Sequence, residues 1–191
     1  MRHALPMLAA LALAACQPAA DETQAPGGND PSSQSAEGAQ VASDAPIQLI
    51  ALDPEGLRLV DEATGSTRLV PFGSPEDEVL TTLTAIAGVP IERGEMDECG
   101  PGPLTFAEFT NGLRLWFSQT GFSGWESTGE LTTMDGLSAA ANRAELEAAG
   151  ITEFTRDTLE DEFQSGDIYG MMEPEGQEVA VLYVGDNCFM R

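Results

Sequence analysis

The stretch LTFAEFTNGLRLWFS, residues 104–118, constrains this chain more than any other. Asn111-Gly112 sits between two runs that alternate apolar and polar residues. Asn-Gly tolerates the positive φ angles of a tight hairpin turn, whose twist matches that of the strands it joins. The spacing predicts a hairpin with a two-residue connection. Alternation then places Leu113, Leu115 and Phe117 on one face, and Arg114, Trp116 and Ser118 on the other. The folded part must therefore contain antiparallel sheet.

Reading outward, strands are expected over 47–52 and 57–60, on either side of the turn sequence Asp53-Pro54-Glu55-Gly56, and over 67–70 after Thr64-Gly65-Ser66. GSPEDEVLTTLTAIAGVP reads as a helix. Ser74 is its expected N-cap, Pro75 its first residue and Asp77 a capping partner. Val79, Leu80, Leu83 and Ile86 share one helical face, and Gly88 and Pro90 stop the helix. A further strand is expected around 125–133. NRAELEAAG starts a second helix, with Asn142 and Glu145 as a cap pair and Gly150 as its end. The tail reads as strands over 152–155, 162–164, 168–172 and 178–184. The expected fold class is α+β, with two helices packed on antiparallel sheet. Val79 and Leu146 hold similar places 67 residues apart, so a degenerate tandem helix-meander repeat is also expected.

The first 45 residues have a different character. Arg2 and His3 precede an uncharged apolar stretch, 4–15, that is shorter than the ~20 residues of a membrane-spanning helix. A basic start, a short apolar run and small residues at its end read as an export signal over 1–15. Leu13-Ala14-Ala15-Cys16 resembles the bacterial lipobox, in which signal peptidase II cuts before a cysteine. The resemblance implies acylation of Cys16, and two or more acyl chains anchor a protein stably. In the same rule Gln17 favours the outer membrane. The competing reading is an ordinary signal peptide with Cys16 incidental. Residues 17–45 are Pro, Ala, Gly, Ser, Gln, Asn and acid with a single Thr, and Val41 is the only larger aliphatic among them. Such a segment cannot bury enough surface to offset the entropy of ordering, so it reads as an acidic tether with a reach of ~30 Å. The expected organisation is a signal over 1–15, a lipidated cysteine and disordered tether over 16–45, and a single domain over 46–191.

Export would place Cys99 and Cys188 in an oxidising compartment. With Cys16 acylated, the count of 3 cysteines becomes one anchor and one pair. A disulfide is the favoured reading, and two free thiols serving redox or metal chemistry are the rival. There is no C-x-x-C.

The chain carries 32 acidic residues against 8 basic ones, a formal charge of −24; every basic residue is arginine, and His3 is the only histidine. Removal of the signal leaves neither histidine nor lysine. That excludes histidine acid–base relays, Ser–His and Cys–His nucleophile pairs, histidine metal ligation and lysine Schiff bases. No Gly-rich phosphate loop links a strand to a helix. A carboxylate pair of the glycosidase kind survives these exclusions. Glu160, Asp161, Glu162 and Asp167 are weak candidates for a calcium site, since they lack the alternating ligand spacing of a calcium loop; a solvated acidic face is the simpler reading. Trp116, Trp125, Phe117 and Phe122 read as core before they read as an exposed aromatic platform, and Met171-Met172 reads as core. Repulsion between like charges disfavours nucleic acid.

ECGPGPLTF, NGLRLWF, FSGWE, LTTMDGLSAAANRAELEAAG and YVGDNCFMR together resemble an uncharacterised family of small exported bacterial proteins, often lipoproteins. Cys99 and Cys188 match that family's paired cysteines, Gly136 its loop glycine and Arg143-Ala144-Glu145-Leu146 its second helix start. Ala140-Ala141 stands where a Gly-Ser is usual. The expected helix-then-meander duplication is loosely similar to the repeats of β-lactamase-inhibitor proteins and of a small outer-membrane assembly lipoprotein. A dehydrogenase reading of such chains would require a dinucleotide-binding domain and a cysteine with a histidine partner, neither of which is expected here. The leading expectation is a non-catalytic envelope lipoprotein, with no catalytic residue and no cofactor. It would be held on the membrane, on the outer membrane's periplasmic side, by its N-terminal lipid, and its tethered domain would bind another envelope component. The alternatives are an acidic inhibitor or scavenger of cationic proteins such as lysozymes, since residues 46–191 hold 27 acids against 7 arginines, and a carboxylate-based hydrolase of envelope glycan.

Overall fold

A computed structural model describes residues 48–156 and 160–189. Strands β1 (Gln48–Asp53), β2 (Gly56–Asp61) and β3 (Thr67–Pro71) form a three-stranded antiparallel sheet in that order. Asp53 shapes the first turn. One of its carboxylate oxygens accepts from the Glu55 amide at 3.0 Å and the other from Arg58 Nε at 2.7 Å. Gly56 is obligatory there, because its φ is 146° and a Cβ would lie 2.2 Å from the Val70 carbonyl oxygen.

Helix α1 (Glu76–Ala87) follows. Pro75 takes the N-cap position, and the Ser74 hydroxyl, expected as the cap, instead donates to the Pro71 carbonyl at 2.7 Å. Glu76, Asp77 and Glu78 crowd the first turn, where the helix dipole favours negative charge. Val79 and Leu83 are its buried residues.

The remaining strands build one eight-stranded antiparallel sheet. They are β4 (Glu92–Met96), β5 (Leu104–Glu108), β6 (Leu113–Ser118), β7 (Gly121–Ser127), β8 (Phe154–Arg156), β9 (Asp161–Ser165), β10 (Ile168–Met172) and β11 (Val179–Gly185). Their spatial order is β4-β5-β6-β7-β11-β10-β9-β8, so β11, the last strand among the described residues, pairs with β7 in the middle of the sheet. Polar β4 gave no apolar alternation in the sequence; it is an edge strand, where alternation is not demanded. The strand expected over 125–133 begins earlier and ends at Ser127.

One face of this sheet, here called the inner face, packs on the small sheet and α1. Leu113, Leu115, Phe117, Phe122, Trp125, Phe163, Ile168, Met172, Leu182 and Val184 meet Ile50, Leu52, Leu57, Leu59, Val70, Val79 and Leu83 in a single apolar core. Trp125 donates its indole N–H to the Asp53 carbonyl at 2.9 Å, a bond that ties the two sheets together, and the Leu52 amide donates to the Thr132 carbonyl at 2.9 Å, which holds the segment after β7 against β1.

The expected α+β class, with two helices packed on one sheet, is corrected to a β-rich fold of eleven strands in two antiparallel sheets with two helices among the described residues. Helix α2 (Arg143–Ala148) is the reason. Its Asn142–Glu145 capping box forms as the spacing predicts, but it runs for 6 residues and buries only Leu146. A turn and a half cannot cover a sheet. Among the described residues the second half thus has no packed helix equivalent to α1 and no counterpart of β1–β3, and the expected tandem repeat falls with the fold class. No helix among the described residues is long and apolar enough to cross a membrane, which says nothing of strands. Cys16, the export signal and the tether lie outside the described residues.

Candidate functional site

The outer face of the large sheet carries a buried carboxyl among charged and aromatic side chains. Strand register aligns Glu108, Arg114, Glu126, Tyr183, Tyr169 and Gln164 in one row across six strands. One step along, Gly94, Phe106, Trp116, Gly124 and Gly185 form a second row.

The hairpin around Asn111 sets the first pair. Its connection is one residue longer than expected. The Phe109 amide donates to the Leu113 carbonyl, the Gly112 amide to the Phe109 carbonyl, and Gly112 takes φ 77°. The added residue places Glu108 opposite Arg114, where a two-residue connection would have placed it opposite Leu115. Arg114 forms an ion pair with Glu108, reaches Glu126 at 3.8 Å, and lies over the Phe106 and Trp116 rings at 5.1 and 5.8 Å.

Trp116 donates its indole N–H to Glu126 Oε1 at 2.6 Å, and both side chains are buried. Burial pushes the Glu126 carboxyl above its ordinary range, while the Trp116 hydrogen bond and the Arg114 charge pull it back and the Glu108 charge raises it again. Trp116, Leu104 and Cys99 form a small apolar cluster apart from the main core, with Met96, Phe106 and Cys188 packed against it. Cys99 and Cys188 are joined by a disulfide, with Cα atoms 5.0 Å apart. Beyond it the two tyrosines stack at 5.7 Å, and Phe189 meets Tyr183 edge-on at 4.8 Å. Tyr169 is 43% exposed.

The remaining sequence candidates are scattered. Asp161 accepts from Arg156 Nε at 3.0 Å and from Arg143 Nη2 at 2.6 Å, and these bonds, that from Arg156 foremost, hold its carboxyl below the ordinary range. Glu162 follows it on the opposite strand face, Glu160 precedes the strand, and Asp167 lies in the β9–β10 turn. No group of three or more His, Cys, Asp or Glu able to hold a metal occurs among the described residues. Trp116, Trp125, Phe117 and Phe122 are all buried rather than displayed as a platform; Met172 is core and Met171 half-buried. Sequence reasoning singled out Trp116 but missed Glu108, Arg114 and Glu126. The first two could have been found from the opposite charges flanking the hairpin.

A buried carboxyl, an arginine shared by two acids and an aromatic pair can bind charge and hold a proton. Both Glu126 oxygens are already engaged, one by indole and one by guanidinium. Compared with family models, with curated proteins and with solved structures, the chain matches none of them.

Proposed function

We propose that this protein is a non-catalytic envelope lipoprotein, anchored through Cys16, whose acidic domain recognises a cationic component of the envelope. The observation that carries the reading is the way positive charge is spent inside the domain. Of the six arginines among the described residues, five form ion pairs with the domain's own carboxylates: Arg58 with Asp53, Arg93 with Glu76, Arg114 with Glu108 and Glu126, and Arg143 and Arg156 with Asp161. The acidic surplus therefore has almost no internal counter-charge. A surface of that kind steers oppositely charged partners and repels like ones. Glu126 supports recognition over hydrolysis. Burial raises its carboxyl, as a general acid would require, yet it is 7% exposed, hydrogen-bonded by the Trp116 indole and approached by Arg114, so a glycosidic oxygen has no open path to it.

Crosslinking in intact cells followed by identification of the captured protein tests the reading. The expected outcome is a basic partner whose affinity for the purified domain falls about tenfold or more between low and high salt. Cys16→Ser should release the protein from the membrane fraction. Salt-independent capture, or turnover of an envelope glycan, overturns the proposal.

A further inference from the structure

The C-terminal tail crosses the outer sheet face instead of leaving the domain. Gly185 turns it with φ 75°, and the Asp186 amide donates to the Ser123 carbonyl at 2.9 Å. The crossing is so close that a Cβ on Gly124 would lie 1.9 Å from the Asp186 carbonyl oxygen. Gly124 is the cross-strand partner of Trp116, and Cys188 of the tail packs against the cluster that holds the buried indole. The tail thus reaches Cys188, bonded to Cys99, and Phe189, set against Tyr183.

We propose that residues 186–189 form a thiol-releasable strap, closed by the Cys99–Cys188 bond over the Trp116–Glu126 pair. Three features make the release local. The cluster under the strap is separate from the main core and contains no residue of β1, β2, β3 or α1. Strand β11 is anchored in the sheet as far as Gly185 by its pairing with β7, so only the segment beyond it is free to lift. Cys188 is half-exposed while Cys99 is buried, so an external thiolate reaches the Cys188 sulfur first. A dithiol completes the exchange. Its first thiolate attacks the Cys188 sulfur and expels Cys99 as thiolate; its second attacks the mixed disulfide and expels Cys188. Both cysteines are reduced, take up two protons, and the dithiol leaves as a disulfide. The Cys99 sulfur lies 3.4 Å from the Met96 carbonyl, an acceptor ready for the new S–H.

The test is hydrogen exchange read by mass spectrometry on the unmutated full chain, oxidised and then treated with dithiothreitol, with reduction verified by maleimide labelling. Peptides from 96–104 and 186–189 should lose protection several-fold on reduction and regain it on reoxidation, while β1–β3 keep theirs. In a Trp125→Phe variant, Trp116 emission should shift to the red and become quenchable by acrylamide over the same course. Three outcomes overturn the proposal: a bond that dithiothreitol fails to reduce in the folded protein, a strap that stays protected after reduction, or exchange spreading at once to β1–β3.

Discussion

The two tryptophans occupy opposite faces of one sheet and are buried by different means. Trp125 lies on the inner face among aliphatic and aromatic side chains drawn from both sheets, and its N–H finds a backbone carbonyl on β1. Trp116 lies on the outer face with few apolar neighbours, and its N–H finds a carboxylate. Both are fully buried. The first is covered by layers of secondary structure, the second by a few side chains of its own sheet, by the Arg114 guanidinium and by the Cys99–Cys188 disulfide. Equal burial therefore rests on unequal foundations. The inner face draws its stability from apolar area, whereas the outer face depends on a covalent closure and on polar groups satisfying one another.

That contrast predicts different costs for the same truncation. Trp125→Ala removes a side chain that links two sheets, and should destabilise the domain by about 4–5 kcal/mol, the upper end for buried tryptophan. Trp116→Ala should cost about 2–3 kcal/mol, because its surroundings can collapse and its bonded carboxylate can turn to water. Chemical denaturation of both variants, with the disulfide intact, reads the difference. Equal losses would mean that the outer cluster is as much a part of the core as the inner one.

The two faces also differed in what the sequence revealed. Alternation in residues 113–117 assigned Leu113, Leu115 and Phe117 to the core, and they are there. Pairing in the hairpin was half legible, since Asn111-Gly112 marks a turn but leaves open whether Thr110 belongs to it. That single residue decides whether Glu108 meets Arg114 or a leucine. Glu126 was out of reach. Its place opposite Arg114 follows from a register set beyond an irregularity between Trp116 and Phe117, which no propensity encodes. The fold class was misjudged because NRAELEAAG carries every start signal of a helix and yet stops after 6 residues. Capping determines where a helix begins, whereas packing determines how much of it matters. The disulfide was legible from the count of cysteines and its context, and it is present.

Glu126 sharpens the comparison further. Glu126→Ala strands the Trp116 N–H in a buried place and should cost about 1–3 kcal/mol. Glu126→Gln keeps an acceptor and removes the charge, so its effect should depend on pH. The folded Glu126 carboxyl is raised above its ordinary value of 4.5. Its contribution to stability is thus complete below that value and is lost as pH rises through the folded one. The glutamine variant should gain on the wild type between acid and neutral pH, as followed by denaturation midpoints. Asp161→Asn provides the opposite slope. That carboxyl is held low by Arg156 and Arg143, so its contribution is present above the ordinary value and lost as pH falls. A Glu126→Gln difference that does not change with pH would mean the carboxyl is not desolvated.

The smallest effect is expected on the inner face, at a polar atom that the apolar core fails to satisfy. Ser127 pairs with Leu113 and Leu182 across three strands, is fully buried, and its hydroxyl oxygen has no hydrogen-bond partner among the described residues. An unpaired buried hydroxyl costs free energy that a methyl group does not. Ser127→Ala removes it with almost no change in volume, so stability should rise by about 0.5–1 kcal/mol. The denaturation midpoint should move up with an unchanged slope. A loss of stability would show that the hydroxyl is satisfied in solution, by an internal water at the centre of the sheet. The inner face would then share the reliance on polar closure that otherwise sets the outer face apart.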